Sequence, residues 1–367
     1  MQVAFALFRY FPFGGMQRDM LTAAMRCQAR GHTVSIYCYS WEGDRPIGIA
    51  VKVLKVTGTT NHVRARHFDR SLQQQLRQQQ PDVVIGFDKL SGLDIYFAAD
   101  PCFVTRTAKR NALYRLLPRY RTLRNLEGAV FGPSATTQIL LLDDHERDHY
   151  QRTWQTSSDR FALLPPGIAK DRLKGPNAHA LRHQGRTEFG ISDQDKLVLL
   201  LAANFELKGL DRAMRAIADL PEELQAHTHL LAVGQNPPRW LSRLAERLGI
   251  ASRVKMIAGR EDVPMLLQSA DILIHPARRD TTGTVLLEAI AAGLPILCTD
   301  TCGYAKHVQA AGCGHVVGNW DETNSASKHL LSLLSKDTTS LQEAAVTYAV
   351  QYDLHGMHDA ICRAIEA

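Results

Sequence analysis

The sequence of 367 residues lacks several features that would assign it to other classes of protein. No apolar run approaches the roughly 20 residues of a membrane-spanning helix. The first residues, MQVAFALFRYFPFGG, lack the pattern of a signal peptide. No internal repeat is present at periods of about 20–50 residues. We therefore expect a cytoplasmic globular protein that is long enough for two domains.

Cysteine is sparse, with seven residues scattered over the chain. An odd, dispersed set is typical of reduced thiols and not of a disulfide framework. Cys298 and Cys302 lie close together with His307 nearby, which raises the alternative of a zinc site. Because Cys298 ends the apolar run LPILC and no second pair has ligand spacing, we predict no metal centre.

The formal net charge of +6 comes from one segment, residues 103–131. This segment contains seven basic residues and a single acidic residue, Glu127, so the net charge of the rest of the chain is zero. The basic residues are Arg106, Lys109, Arg110, Arg115, Arg119, Arg121 and Arg124. Apolar residues lie between them at helical spacing, with Pro118 as a predicted kink: Leu113, Leu116, Leu117, Tyr120 and Leu123. Such a helix suits an anionic membrane surface, a nucleic acid, or simple packing on the protein with its arginines in water.

Short runs rich in Val, Ile and Leu alternate with longer amphipathic stretches, which predicts strand–helix units around parallel sheets. Predicted strands in the first half are 3–8, 33–39, 51–56, 82–86 and 139–142, and the first helix is 16–30. Those in the second half are 197–201, 230–233, 254–257, 272–275 and 295–298. Predicted helices there begin near Gly209, Pro237, Asp262, Gly283 and Gly303.

The stretch LLPPGI at 163–168 interrupts regular structure and predicts a domain boundary after residue 167. The fold class is therefore α/β, with two doubly wound, Rossmann-like domains facing a cleft. Ligands bind at the carboxyl ends of parallel strands in such folds.

Two junctions between a strand and a helix could bind an anion. Gly14 and Gly15 open the first helix without a GxGxxG or Walker pattern, and a tight turn explains them equally well. Lys208 and Gly209 follow a predicted buried strand in the second half. A lysine at that place can neutralise a diphosphate, although a solvated surface lysine is the commoner outcome.

A third junction lies in HPARRDTTGTVLLEAIAAGLPIL, residues 275–297. The amides of Gly283 and Thr284 suit phosphate oxygens at a helix start. Glu288 can accept two hydrogen bonds from ribose hydroxyls, and Asp280 could meet a hexose hydroxyl or the reacting centre. An ordinary helix with an acidic first turn is the alternative.

Taken in order, these elements resemble the retaining glycosyltransferases of the GT-B fold, whose E-x7-E motif resembles the spacing of Asp280 and Glu288. The chain is most similar to the lipopolysaccharide core glucosyltransferase I family of Gram-negative bacteria. The similar stretches run nearly end to end: YFPFGGMQRD (10–19), SWEGD (40–44), GLDIYFAAD (92–100), LLPPGI (163–168), KGLDR (208–212), HPA (275–277), GTVLLEAIAAGLP (283–295) and CGYA (302–305).

The resemblance implies a hexose donor, UDP-glucose, and a heptose acceptor in the lipopolysaccharide inner core, with no cofactor and no metal. It implies an acceptor and membrane-contact domain at 1–167, a nucleotide-sugar domain at 168–350, and a C-terminal helix at 351–367 that packs back on the first domain. It favours an anionic inner-membrane surface, and not nucleic acid, as the partner of residues 103–131.

The resemblance also implies roles for single residues. Gly15 and Asp19 would face the donor sugar or the acceptor, and Asp100 would be a polar residue of the cleft. Lys208 would hold the diphosphate, and Glu288 the ribose. Arg172 and Arg260 would help to bind the donor, and Asp280 would be a catalytic residue.

Two departures from the family leave alternatives open. The family has Glu where this chain has Asp280, and a basic residue where it has Leu207. These differences motivate one alternative, a membrane-associated scaffold with an impaired site. A second alternative is a UDP-sugar epimerase of the same fold.

Overall fold

Two parallel sheets organise the computed structural model, which describes residues 1–12, 14–234, 237–322 and 325–367. The first belongs to a unit of Met1–Gly167 and Gly356–Ala367, and the second to a unit of Ile168–His355. We call them unit 1 and unit 2. The stretch 163–168 carries the chain from unit 1 into unit 2.

Unit 1 contains a seven-stranded sheet and a separate two-stranded one. Its strands are β1 (Gln2–Ala6), β2 (Arg9–Tyr10), β3 (Thr33–Cys38), β4 (Ser40–Trp41), β5 (Ala50–Val53), β6 (Val83–Gly86), β7 (Ile95–Ala98), β8 (Gln138–Leu141) and β9 (Phe161–Leu163). Its helices are α1 (Gly15–Ala29), α2 (Asn61–Gln79), α3 (Phe103–Thr107), α4 (Pro118–Phe131) and α5 (His145–Trp154), with the last helix of the chain at Met357–Glu366. Short 3₁₀ turns occupy Ala112–Leu116 and Ser158–Arg160.

The large sheet of unit 1 has the order β5-β3-β1-β6-β7-β8-β9, with all strands parallel. Helices cover both faces, so alternate residues of one strand enter different cores. Phe5 packs with α1 and the last helix, while Ala4 and Ala6 pack with α2 and α4. Burial on both faces explains why β1 is continuously apolar.

Unit 2 repeats the arrangement with six parallel strands. They are β10 (Lys196–Ala202), β11 (Thr228–Gly234), β12 (Val254–Ala258), β13 (Ile272–His275), β14 (Ile296–Thr299) and β15 (Gly314–Val317). Its helices are α6 (Ala178–Phe189), α7 (Leu210–Ala218), α8 (Glu222–Ala226), α9 (Arg239–Arg247), α10 (Val263–Ser269), α11 (Thr284–Ala291), α12 (Ala305–Ala311), α13 (Ser325–Ser335) and α14 (Thr339–Gln351). Two 3₁₀ turns occupy Lys170–Arg172 and Ala251–Arg253. The sheet order is β12-β11-β10-β13-β14-β15.

The predicted fold class is confirmed in its two doubly wound sheets. Five strands of the structure were not predicted from the sequence: the short pair β2 and β4, and β7, β9 and β15. All five are only two to four residues long, too short for a clear periodic pattern.

The prediction of a helix across 113–123 with a kink at Pro118 is wrong. Residues 103–131 form α3, a 3₁₀ turn and then α4, which begins at Pro118. Proline lacks an N–H and suits the first position of a helix, where that donor would have no partner. The residue before it, Leu117, is accordingly extended, with φ −63° and ψ 140°.

Among the helices at the end of the chain, the sequence predicts a return to the first domain for the one at 351–367. Only the last one, Met357–Glu366, which we name α15, does so, packing against α1. Helix α14 instead packs on α11 and α12 of unit 2. The return to unit 1 therefore begins at Gly356, and not at 351.

Candidate active site

The sheet of unit 2 reverses its strand order between β10 and β13, which lie side by side. Connections leave these two strands in opposite directions, and a crevice forms at their carboxyl ends where ligands bind in doubly wound folds. Lys208 lies in the loop after β10, and Asp280 lies in the loop after β13. The topology alone therefore brings two predicted site residues to one edge.

A glycine allows these two loops to touch. Gly209 has φ +76°, and a Cβ there would lie 2.1 Å from the carbonyl oxygen of Pro276. Further contacts join the loops: the N–H of Arg278 donates to the Leu207 carbonyl at 2.9 Å. The Arg278 guanidinium also forms two hydrogen bonds with the Asp211 carboxylate, at 2.7 and 2.8 Å. The close approach places the Lys208 side chain opposite Asp280.

Three side chains meet at this point. The carboxylate oxygen Oδ2 of Asp280 lies 2.6 Å from Nζ of Lys208 and 2.8 Å from Nε2 of His275. The His275 side chain is only 2% exposed, and those of Lys208 and Asp280 are 19% and 13% exposed. The side chains of Lys208 and Asp280 are therefore accessible to solvent, and thus to a ligand, whereas His275 is not.

The trio holds Asp280 in its charged form. Burial acts to raise the pKa of Asp280, but the hydrogen bond from His275 and the charge of Lys208 outweigh it and keep that pKa well below its usual range. The other ring nitrogen of His275, Nδ1, is buried and has no hydrogen-bond partner among the described residues. We infer that Nε2 carries the proton and donates a hydrogen bond to the Asp280 carboxylate.

Cys302 also reaches this place, since its ligand atom lies within 4.8 Å of those of His275 and Asp280. These three residue types can bind zinc. However, burial and the charge of Asp280 raise the pKa of the Cys302 thiol to about 12. The Lys208 ammonium also already sits 2.6 Å from the carboxylate, where it would repel a cation. The arrangement therefore disfavours a metal ion.

The other predicted donor residues of this edge surround helix α11. Gly283 precedes the helix with φ +75°, and Thr284 is its first residue. Glu288, one turn in, is buried and accepts a hydrogen bond from Nε of Arg172 at 3.2 Å. Two residues predicted as separate donor contacts are thus one buried ion pair, in which Arg172 orients the carboxylate of Glu288.

Arg260 lies elsewhere in unit 2. Its guanidinium is paired with Glu188 on α6 and with Asp262, which precedes α10. Those pairs raise the pKa of Arg260. A cavity of about 510 Å³ lies beside them, lined by residues of 171–184 and 261–268 that include Asp171 and Asp262. Arg260 therefore contributes to the wall near this cavity, and its charge is already neutralised by two carboxylates.

The predicted site residues of unit 1 do not form one cluster of contacts. Gly15, at the start of α1, is exposed. The Asp19 carboxylate lies 3.1 Å from Nε2 of His358, so α15 contributes directly to its surroundings. Asp100 is exposed after β7, and its carbonyl oxygen accepts a hydrogen bond from the Tyr150 hydroxyl.

One titratable residue of unit 1, Asp88, was not predicted from the sequence. Asp88 follows β6, which is adjacent to β1 at the reversal point of this sheet, and accepts a hydrogen bond from the N–H of Phe8 at 2.6 Å. Burial, with a contribution from the charge of Asp100, raises the pKa of Asp88 to about 7, against the effect of the Phe8 hydrogen bond. No motif marks Asp88 in the sequence; only the strand order identifies its position.

The basic segment 103–131 presents all seven of its basic side chains to solvent. Its single acid, Glu127, is fully buried and anchors α4 to the unit. The Glu127 carboxylate lies 2.6 Å from Nζ of Lys89 and accepts hydrogen bonds from the N–H of Phe103 and from the indole of Trp154. The segment is therefore anchored to unit 1 on its buried side, and its solvent-exposed side is strongly positive.

Comparison with known proteins agrees with the two-unit architecture. Residues 182–351 match the family model "Glycosyl transferases group 1", and residues 13–172 match "Glycosyltransferase Family 4". Together with the two Rossmann-like sheets, these matches define the class of protein as a GT-B glycosyltransferase.

More specific similarity covers the whole chain. The lipopolysaccharide glucosyltransferase WaaG of Escherichia coli (strain K12) is 41% identical over 360 residues, which is 97% of this chain and 96% of that protein. The crystal structure of WaaG, a glycosyltransferase involved in lipopolysaccharide biosynthesis, has 40% identity and a TM-score of 0.94 over 99% of both chains. Anabaena HepE in complex with UDP-glucose shares the fold, with a TM-score of 0.75 at 16% identity over 100% of this chain and 98% of that one. The chain belongs to the WaaG family of lipopolysaccharide glucosyltransferases.

Proposed function

We propose that the protein transfers glucose from UDP-glucose to a heptose of the lipopolysaccharide inner core, with retention of configuration and without a metal. The observation that carries this proposal is the Lys208–Asp280–His275 trio at the reversal point of unit 2. Family membership supplies the substrate classes, and the trio supplies the chemistry.

Each group of the trio has a role in transfer of a hexose from a diphosphate. The Lys208 ammonium offsets the charge that develops on the departing diphosphate, as a metal ion does in other enzymes. The Asp280 carboxylate accepts a hydrogen bond from a sugar hydroxyl and stabilises the positive charge that develops at the anomeric carbon. His275 is buried and holds Asp280 in place, which limits the reorganisation needed during reaction.

The rest of the donor fits around this centre. The first turn of α11, after Gly283, offers N–H groups to the phosphates. Glu288, oriented by Arg172, can accept hydrogen bonds from both ribose hydroxyls through its free lone pairs. This complete set argues against a scaffold with an impaired site, because a functionless site has no need of a charged trio.

The test is steady-state transfer to purified heptose-terminated lipopolysaccharide with a panel of radiolabelled UDP-sugars. We expect UDP-glucose to be the preferred donor, an α-linked product by NMR, and full activity in EDTA. Activity that EDTA abolishes and Mg²⁺ restores would contradict the role of Lys208. Interconversion of UDP-sugars without transfer would instead support an epimerase.

We also propose that segment 103–131 holds the protein on the inner face of the inner membrane. No helix in the described parts of the chain is long and apolar enough to span a bilayer. The 3₁₀ turn Ala112–Leu116 and its neighbour instead expose apolar side chains among the arginines: Leu113 is 70%, Leu116 59% and Leu117 47% exposed. Basic residues surrounding exposed leucines suit an anionic bilayer surface, at about 1 kcal/mol per basic residue.

Vesicle sedimentation tests the membrane proposal. Replacing Arg115, Arg119 and Arg121 with Gln should release the protein from phosphatidylglycerol-containing vesicles. The matched control replaces three exposed arginines of α2, Arg66, Arg70 and Arg77, and should leave binding intact. Equal release by both triple variants would mean that net charge, and not this segment, governs binding; binding to neutral vesicles as tight as to anionic ones would contradict the proposal.

A further inference from the structure

Unit 1 carries a short projection, which we call the aromatic tongue (residues 7–12 and 39–44). It continues the β1–β3 pair beyond the edge of the large sheet. The N–H of Leu7 donates to the Tyr37 carbonyl, and the N–H of Tyr39 donates to that of Phe8. Strands β2 and β4 then pair in parallel register. The tongue therefore extends from the carboxyl ends of parallel strands, where ligands bind in this fold.

An aromatic pair lies at the end of the tongue. Tyr10 and Trp41 are opposite one another in register, and their rings stack with centroids 3.9 Å apart and planes 14° apart. Tyr10 is buried, at 7% exposure, whereas Trp41 is half-buried. The indole N–H of Trp41 donates to the carbonyl of Asp44 at 3.2 Å. Trp41 is thus supported on one face and fixed in orientation, and it retains access to solvent.

The tongue adjoins the glycine-containing loop that opens α1. The Gln17 side-chain amide on α1 donates to the carbonyl of Arg9 at 3.2 Å. A Cβ on Gly14 would lie 2.8 Å from the ring of Phe11, so the loop packs directly against the tongue. The tongue and the start of α1 are therefore in direct contact.

We propose that Trp41, supported by Tyr10, is a platform on which a sugar ring of the acceptor stacks, and that it determines acceptor specificity. This inference rests on the proposed function, in which the acceptor is a saccharide. A pyranose ring has an apolar face of C–H groups that can pack on an indole, while its hydroxyls point outward. Exposed charged groups surround Trp41 in the tongue and can meet those hydroxyls or an attached phosphate: Arg9, Glu42 and Asp44. Such a charged rim suits a saccharide better than an acyl chain.

The experiment uses a soluble probe, the deacylated heptose-terminated inner-core oligosaccharide, with UDP-glucose as donor. Trp41→Leu keeps an apolar side chain but removes the flat ring. We expect its acceptor KM to rise about tenfold, a factor that corresponds to about 1.4 kcal/mol. The donor KM should change little, and Trp41→Phe should recover most of the loss. Trp240→Leu, which removes a 39% exposed tryptophan from α9 of unit 2, is the matched control.

Binding measured by fluorescence keeps the inference testable if the Leu variant folds poorly. The protein has four tryptophans, and the oligosaccharide should alter the emission of wild type but not that of Trp41→Phe. An unchanged acceptor KM in Trp41→Leu, or a full fluorescence response in Trp41→Phe, overturns the platform. A loss seen only with vesicle-embedded acceptor also overturns it, because it assigns Trp41 to lipid. A wild type that neither transfers to the probe nor responds to it contradicts the proposed function as well.

Discussion

Replacing Asp280 with Asn removes one charge from the trio while keeping the shape of the side chain. The amide cannot form the ion pair with Lys208 at 2.6 Å, and its nitrogen cannot accept the His275 hydrogen bond. If Asp280 stabilises charge in the transition state, its loss costs about 2.7 kcal/mol of barrier, or about a hundredfold in rate. Asp280→Glu keeps the charge and should cost much less.

The assay is steady-state glucose transfer by wild type and both variants, well below their unfolding temperatures. A loss of stability is also expected, because the Lys208 ammonium is left without its partner, at a cost of about 1–3 kcal/mol. Asp271→Asn controls for this effect. Asp271 precedes the same strand, β13, at its opposite end, and is paired with Arg182 at 2.6 Å and Arg186 at 3.2 Å. It should lose stability and keep its activity.

The pH dependence sharpens the prediction. The pKa of Asp280 is lowered in the folded protein, so its charge is present above the ordinary Asp range and is lost only as pH falls far below it. The ratio of wild-type to Asp280→Asn activity should therefore stay constant between about pH 5 and 8. An Asn variant as active as wild type would remove Asp280 from the mechanism. An inactive wild type restored by Asp280→Glu would favour the scaffold.

Three further outcomes are expected. Lys208→Ala should lower turnover about a hundredfold. A loss of less than about threefold, far below that estimate, would exclude a role of this lysine in stabilising the leaving diphosphate. Gly209→Ala should lower both stability and activity, because its Cβ would lie 2.1 Å from the Pro276 carbonyl oxygen; Gly190→Ala, at the similar φ of +71° in open space, controls for backbone strain alone in thermal denaturation. Because the pKa of Asp88 is raised to about 7, the folded state holds a proton that the unfolded state releases near pH 4. The free energy of unfolding should therefore fall as the pH rises from about 4 to about 7. Asp88→Asn should flatten this dependence in denaturant titrations, and identical profiles for wild type and variant would refute the raised pKa of Asp88.

The fold class followed from local patterns in the sequence. Alternating apolar and amphipathic stretches determine strands covered by helices on both faces, and the stretch at 163–168 lies where the chain passes between the units. Gly209 and Gly283 each precede a helix with φ near +75°, a conformation that glycine adopts without steric cost. Pro118 could also have predicted a helix start, because that preference is local; the apolar spacing across it suggested one helix instead.

The site contacts depended on tertiary structure, because they join residues far apart in the chain. Glu288 and Arg172 are 116 residues apart, and Asp19 and His358 are 339 apart. Short-range patterns carry no information about such pairs; they arise from strand order and from the return of α15 to unit 1. The sequence by itself predicted which residues would hold a nucleotide sugar. Only the adjacency of β10 and β13 brought Lys208 into contact with Asp280, which His275 also contacts, because a parallel sheet places the carboxyl ends of neighbouring strands side by side.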